Sequence, residues 1–335
     1  MTKADLTESD INTYTIDQLN DLTKTDMTRV NQVIVDHLAS PVVLINQLSQ
    51  HIIHSGGKRL RPMLVVLSAK ACDYQGDQDA LLAAVVEFIH TATLLHDDVV
   101  DDSDLRRGQE TASSIWGNEA AVLVGDYLYS RAFQMMVKAQ SMRMMDLLAN
   151  ATNTIAQGEV LQLLNINDAN TSEERYLEVI YGKTACLFEA AAQIGAILNS
   201  SDEQTEQALK SYGKHLGMAF QLIDDALDYT ANPNELGKNV GDDLAEGKPT
   251  LPLIYAMQQG DDTQQALIRH AVENGGLNHI DAITQIIHST GALEYTYQQA
   301  ISEADMAKRA IKLLPESEHK KALNFLADYS VDRNH

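Results

Sequence analysis

The sequence predicts an all-α fold, a single-domain helical bundle around a central cavity. Three observations lead there. Of six prolines in 335 residues, none lies between Pro62 and Pro233. That stretch is rich in Ala, Leu, Met, Gln and Glu, which favour long helices. Apolar residues recur at helical spacing, and the Val/Ile/Thr alternation with two-residue turns that marks strands is missing.

Residues 1–27 are polar, rich in Thr and Asp, and read as a loose tail or a short helix; the main domain is drawn over 28–335. Val30, Val33, Ile34 and Leu38 then follow a helical period until Pro41 interrupts it. A second amphipathic helix runs from about Val42 to His54, where Ser55-Gly56-Gly57 stops it. Further helices are expected near 62–75, 79–104, 117–138, 142–166, 173–199, 203–230, 249–258, 263–274, 279–288, 290–313 and 316–331. No fixed-period repeat is visible.

Composition excludes several classes. A formal net charge of −22 argues against nucleic acid, whose phosphates need a basic surface, and against docking on anionic lipid. The two cysteines, Cys72 and Cys186, match no ligand spacing and suggest a reducing compartment. The start, MTKADLTESD, lacks the basic and apolar parts of a secretion signal. Glu87 breaks the apolar run Leu81 to Ile89, well short of the ~20 residues that span a bilayer. The expectation is a cytoplasmic protein without a transmembrane segment.

The chemistry concentrates in His96 to Gly108, HDDVVDDSDLRRG. On a continuing helix Asp97 and Asp101 stand i, i+4 on one face, with Asp98 and Asp102 as a second pair. Such carboxylates repel one another unless a cation lies between them, and oxygen-only ligands suit Mg²⁺. One such turn is compatible with a solvated acidic helix end. The spacing recurs, however, in QLIDDALD as Asp224, Asp225 and Asp228. Two acidic turns facing one cavity could hold metals with a diphosphate between them. The turn GGKRLRP (Gly56 to Pro62) adds Lys58 and Arg61 as charge-assisted donors to phosphate. A loop of about 20 residues from Thr230 to Pro249 carries Lys238, Asp242, Asp243 and Lys248, long enough to be functional.

The two acidic motifs together with GGKRLRP resemble the trans-prenyl diphosphate synthases, from about Leu44 to the C-terminus. The resemblance implies a prenyltransferase that ionises an allylic diphosphate, condenses it with isopentenyl diphosphate and eliminates a proton. It implies three Mg²⁺ held by Asp97, Asp101 and Asp224, with Asp98, Asp225, Asp228 and Lys183 as further catalytic residues. Lys58, Arg61, His90 and Arg107 would hold isopentenyl diphosphate. Arg106, Lys183, Thr184, Gln221 and Lys238 would hold the allylic diphosphate, farnesyl diphosphate being the expected primer, and Lys248 would join the closing loop. A homodimer is the usual assembly of the family.

Product length is a matter of depth below the metals. Short-chain members carry a bulky aromatic four or five residues before the first aspartate, where this chain has Thr93 and Ala92. The tunnel is therefore expected to be open at the first turn and to run past Ile89, with Phe133, Met135 and Met136 as candidates for its floor. Gly158-Glu159-Val160-Leu161-Gln162 stands where short-chain enzymes read GQxxD, and that GExxQ form is similar to long-chain, single-subunit members. An eight-unit product destined for a quinone side chain is expected, with seven or nine units, or a non-catalytic subunit of a heteromeric synthase, as alternatives. A terpene cyclase would carry a different second metal motif and more aromatics than the 5% found here. A metal phosphohydrolase would need further histidine ligands.

Overall fold

A computed structural model describes residues 14–54, 57–106, 108–230 and 241–332. Most helices fall where the sequence places them, and two short ones, Ala112–Trp116 and Asp242–Ala245, lie where none is expected. The helices are α1 (Ile16–Leu38), α2 (Val43–His54), α3 (Leu60–Ala71), α4 (Gln78–Val100), α5 (Ala112–Trp116), α6 (Asn118–Lys138), α7 (Met142–Asn165), α8 (Glu173–Ile180), α9 (Cys186–Leu198) and α10 (Glu203–Leu227). Beyond them lie Asp242–Ala245, Leu251–Gln259, Asp262–Asn274, Ile280–Ser289, Ala292–Ala310 and Glu318–Val331.

Four differences from the sequence reading have local causes. The boundary drawn at residue 27 falls inside α1, which starts at Ile16 on a Thr15/Gln18 capping box and buries Leu19 and Thr23. Arg29 fastens α1 to the start of α4 through the fully buried Asp79, 2.5 Å away. α4 ends at Val100 rather than 104, where Asp102 turns left-handed (φ 50°) and the Ser103 N–H bonds back to the Asp98 carbonyl at 3.0 Å. The chain then makes a minimal antiparallel hairpin, Leu105–Arg106 against Gln109–Glu110, where no strand is expected. Finally, the segment read as one helix over 173–199 is interrupted by a π-helical turn, Tyr181–Ala185.

α3 and α9 lie at the centre. Almost every residue from Pro62 to Ala69 is buried, and α9 hides Leu187, Phe188 and Ala190 to Ala192. α4 packs between α3 and α6, and α10 between α9 and Ala292–Ala310. α4 is also long and apolar enough to cross a membrane by length and composition alone, contrary to the sequence reading, although 67% of that apolar window is buried within the protein. A core helix of this kind passes the same test.

The last helix is fastened from two sides. Tyr212 on α10 donates to the Leu323 carbonyl at 2.6 Å. The buried Lys320 ammonium donates to the carbonyls of Lys312 (3.0 Å) and Leu314 (2.8 Å) and to Glu316 (2.6 Å). Lys320→Met leaves two carbonyls without that donor. It is expected to lower unfolding stability by about 2 kcal/mol, read as a lower urea midpoint at unchanged slope.

Candidate active site

Asp97 lies in the last turn of α4 and Asp101 caps it, its N–H bonding back to the Asp97 carbonyl at 2.8 Å. The pair therefore keeps its i, i+4 relation. The Asp98/Asp102 pair does not, since Asp102 has left the helix. Asp98 is buried instead and accepts from Arg106 Nε at 2.6 Å. Burial pushes its carboxyl up, and Arg106 opposes that shift.

Two lysines from elsewhere in the chain meet these acids. Lys183 Nζ stands 3.6 Å from Asp97 Oδ2, and Lys248 Nζ 2.9 Å from Asp101 Oδ1. Each is tethered by a glutamate: Lys183 by Glu159 at 2.8 Å, Lys248 by Glu246 at 2.5 Å. Burial alone would lower both ammonium groups. Asp97 and Glu159 for Lys183, and Asp101 and Glu246 for Lys248, more than reverse it and keep both charged.

The second acidic turn divides its work. Asp225 is fully enclosed and accepts from Tyr176 Oη (2.5 Å) and Gln221 Nε2 (2.8 Å), while Gln221 accepts from Thr184 Oγ1 at 2.8 Å. Burial raises its pKa. The Asp228 carboxylate accepts the backbone N–H groups of Asp242 and Asp243, both at 3.2 Å, and so caps the short helix that follows residues 231–240. Asp224 is half-buried on the same turn. Asp225→Asn, which keeps the shape of a buried structural group, is expected to hold turnover within about tenfold of wild type, whereas Asp224 substitution is not.

The basic turn also assembles. Arg59 enters α3 in a left-handed conformation (φ 45°). Arg61 Nη1 comes 3.2 Å from His90 Nε2, its guanidinium 4.3 Å from the centre of the Phe188 ring. Lys58 stands over Tyr329 at 4.8 Å. Arg107 and Lys238 lie outside the described residues.

From the acids an apolar cleft of about 520 Å³ runs between α4, α6 and α7. Asp97, Asp101 and Glu159 line it together with Thr93, Tyr129, Phe133, Ile155, Val160 and Leu163. Ile89, Ala92, Met135 and Met136, expected along or below the tunnel, are wholly buried in the main core and do not line this cleft. His96 faces α6, 3.2 Å from the Val122 carbonyl, over Gly125, where a Cβ would come within 2.3 Å of its ring.

The sequence profile of the Polyprenyl synthetase family matches residues 42–290. The octaprenyl diphosphate synthase of Haemophilus influenzae is 53% identical over 96% of this chain and 98% of its own. That of Escherichia coli is 51% identical over 95% and 99%. The crystal structure of a polyprenyl synthase from Caulobacter crescentus, complexed with calcium and isoprenyl diphosphate, superposes with a TM-score of 0.93 at 45% identity, covering 96% of this chain and 99% of that one. The chain belongs to the polyprenyl synthetase family.

Membership makes this synthetase a prenyltransferase of the all-α class. Among its described residues no three Asp, Glu, His or Cys side chains converge as a ready-made metal site. The donor chemistry nevertheless fits a hard divalent cation: Asp97 and Asp101 offer carboxylates one turn apart, while His96, which also lines the cleft, is turned to the Val122 carbonyl. Sequence reasoning missed the lysine tethers Glu159 and Glu246 and the Tyr176 bond to Asp225. Glu159 and Tyr176 reach partners far along the chain, so no local spacing encodes those two contacts; Glu246 stands only two residues before Lys248.

Proposed function

We propose that this protein is a long-chain trans-polyprenyl diphosphate synthase that extends an allylic primer, farnesyl diphosphate, with isopentenyl diphosphate to an eight-unit product for a quinone side chain. One observation carries the reading: two acidic residues, each paired with a lysine, line an apolar cleft of about 520 Å³. That arrangement suits a substrate with a charged head and a growing hydrocarbon tail. The two octaprenyl diphosphate synthases, at 51 and 53% identity, support the product class.

In the proposed mechanism Asp97, Asp101 and Asp224 would hold Mg²⁺, three ions per site, and the metal would supply positive charge to neutralise the leaving diphosphate. Lys183, Arg106 and Lys238 add positive charge at the same oxygens. Thr184 and Gln221, already bonded to each other, orient the allylic head. Lys58, Arg61, His90 and Arg107 hold isopentenyl diphosphate, whose double bond attacks the allylic cation. A proton then leaves to the departing diphosphate. The apolar walls keep water from the cation.

A homodimer is part of the proposal. Leu123, Phe133 and Val137 on α6 and Val160, Leu163 and Leu164 on α7 are exposed apolar side chains, more than scattered surface residues account for. Light scattering is expected to give twice 36.9 kDa. Cytoplasmic residence is supported by two buried cysteines, neither in a disulfide.

Incubation with isopentenyl and farnesyl diphosphates and Mg²⁺ tests the reaction class. A synthase gives longer prenyl diphosphates. A hydrocarbon would identify a cyclase, farnesol a hydrolase, and no conversion a regulatory subunit.

A further inference from the structure

Lys183 sits on the π-helical turn Tyr181–Ala185, an irregularity of a kind that gathers at functional places. α7 crosses this turn at very short range. A Cβ on Gly158 would fall 2.6 Å from the Lys183 nitrogen, and one on Gly182 would fall 2.9 Å from Gly158 Cα. Two glycines permit that approach. It brings Glu159 and Gln162, one turn apart on α7, to the same ammonium. Lys183 Nζ donates to Glu159 Oε2 and to Gln162 Oε1, both at 2.8 Å, with Asp97 Oδ2 at 3.6 Å. Three oxygens thus surround a group with three donors. The other Glu159 oxygen, Oε1, is buried and accepts no hydrogen bond among the described residues. A site shaped for stability alone would pair it.

We infer that Gly158, Glu159 and Gln162 form a clamp that positions Lys183 for prenyl transfer, with Glu159 as its charged jaw. Glu159 acts through Lys183, fixing the ammonium at the acid end of the cleft where the leaving diphosphate gains charge. The clamp needs one carboxylate and one amide oxygen on successive turns of α7, and their order is free. Exchanging them, Glu159→Gln with Gln162→Asp, keeps both.

The test rests on the synthase reading for its kinetic arm and stands without it in its chemical arm. Glu159→Gln alone is expected to lower kcat about 100-fold, the cost of misplacing a reacting-centre group by about 1 Å. KM for the allylic substrate should rise and KM for isopentenyl diphosphate should stay. The exchanged double variant should recover most of the loss. In a Lys183→Ala background Glu159→Gln should change nothing further. Independently of turnover, acylation of Lys183 by an amine-reactive ester, read by peptide mass, should quicken in Glu159→Gln and slow again in the double variant. Wild-type kinetics in Glu159→Gln, or a double variant no better than the single, overturns the clamp. If Glu159→Gln fails to fold, the double variant decides alone: it must turn over and protect Lys183. If the wild type elongates nothing, the synthase reading fails, and the acylation rates still decide the clamp.

Discussion

Asp97→Ala or Asp224→Ala is expected to lower turnover by about 10³-fold, the scale on which a lost stabiliser of transition-state charge is felt, while far-UV circular dichroism stays helical. Asp97 lies in the last turn of α4 and lines the cleft, and Asp224 lies in the last turn of α10, whose Gln221 accepts from Thr184 on the π-helical turn that carries Lys183. Neither loss removes core volume, since both side chains sit at helix ends and are only partly buried. Asp98 and Asp225, by contrast, commit their carboxylates to Arg106 and to Tyr176 and Gln221. In the proposed mechanism the adjacent aspartates of each motif therefore have different work, metal holding for one and scaffold for the other. Near-normal turnover in both alanine variants would remove the metal-holding role.

Thr93→Phe is expected to shorten the product sharply, to about four isoprene units or fewer, because one helical turn of ~5.4 Å below Asp97 is close to one extended unit. Thr93 lines the cleft, and its hydroxyl donates to the His90 carbonyl at 2.7 Å. A phenyl ring at that position projects into the space the growing chain must pass. Mass spectrometry of the dephosphorylated products reads the outcome directly. An unchanged product would show that the chain does not follow this face of α4. Phe133, which also lines the cleft and is 39% exposed, is the remaining candidate for the floor. Met135 and Met136 are core residues.

Much of this organisation is legible in the sequence because its signals are local. Helix edges follow prolines, glycines and the apolar period, and the i, i+4 relation of Asp97 and Asp101 follows from counting. The rest depends on contacts between distant segments. α4 ends at Val100 on a left-handed Asp102 and a Ser103 N–H bond to the Asp98 carbonyl, a closure that no glycine or proline in the sequence marks. The start of α1 is hidden because its buried residues, Leu19 and Thr23, are few among polar neighbours. The π-helical turn lies where Gly158 and Gly182 approach, a contact that neither segment announces alone. Lys183 and Lys248 read as phosphate-binding cations by resemblance. That each also neutralises an acid of the first motif, under a glutamate tether, emerges only when α7, the π-helical turn and the segment after Asp242–Ala245 are brought together.

The most direct measurement is product length. The purified protein is incubated with isopentenyl diphosphate, farnesyl diphosphate and Mg²⁺, and the dephosphorylated product is weighed by mass spectrometry. A single eight-unit species is the expected result, establishing both the reaction and the depth of the cleft. No elongation with any allylic primer would contradict the central claim and leave a folded diphosphate-binding subunit in place of an enzyme.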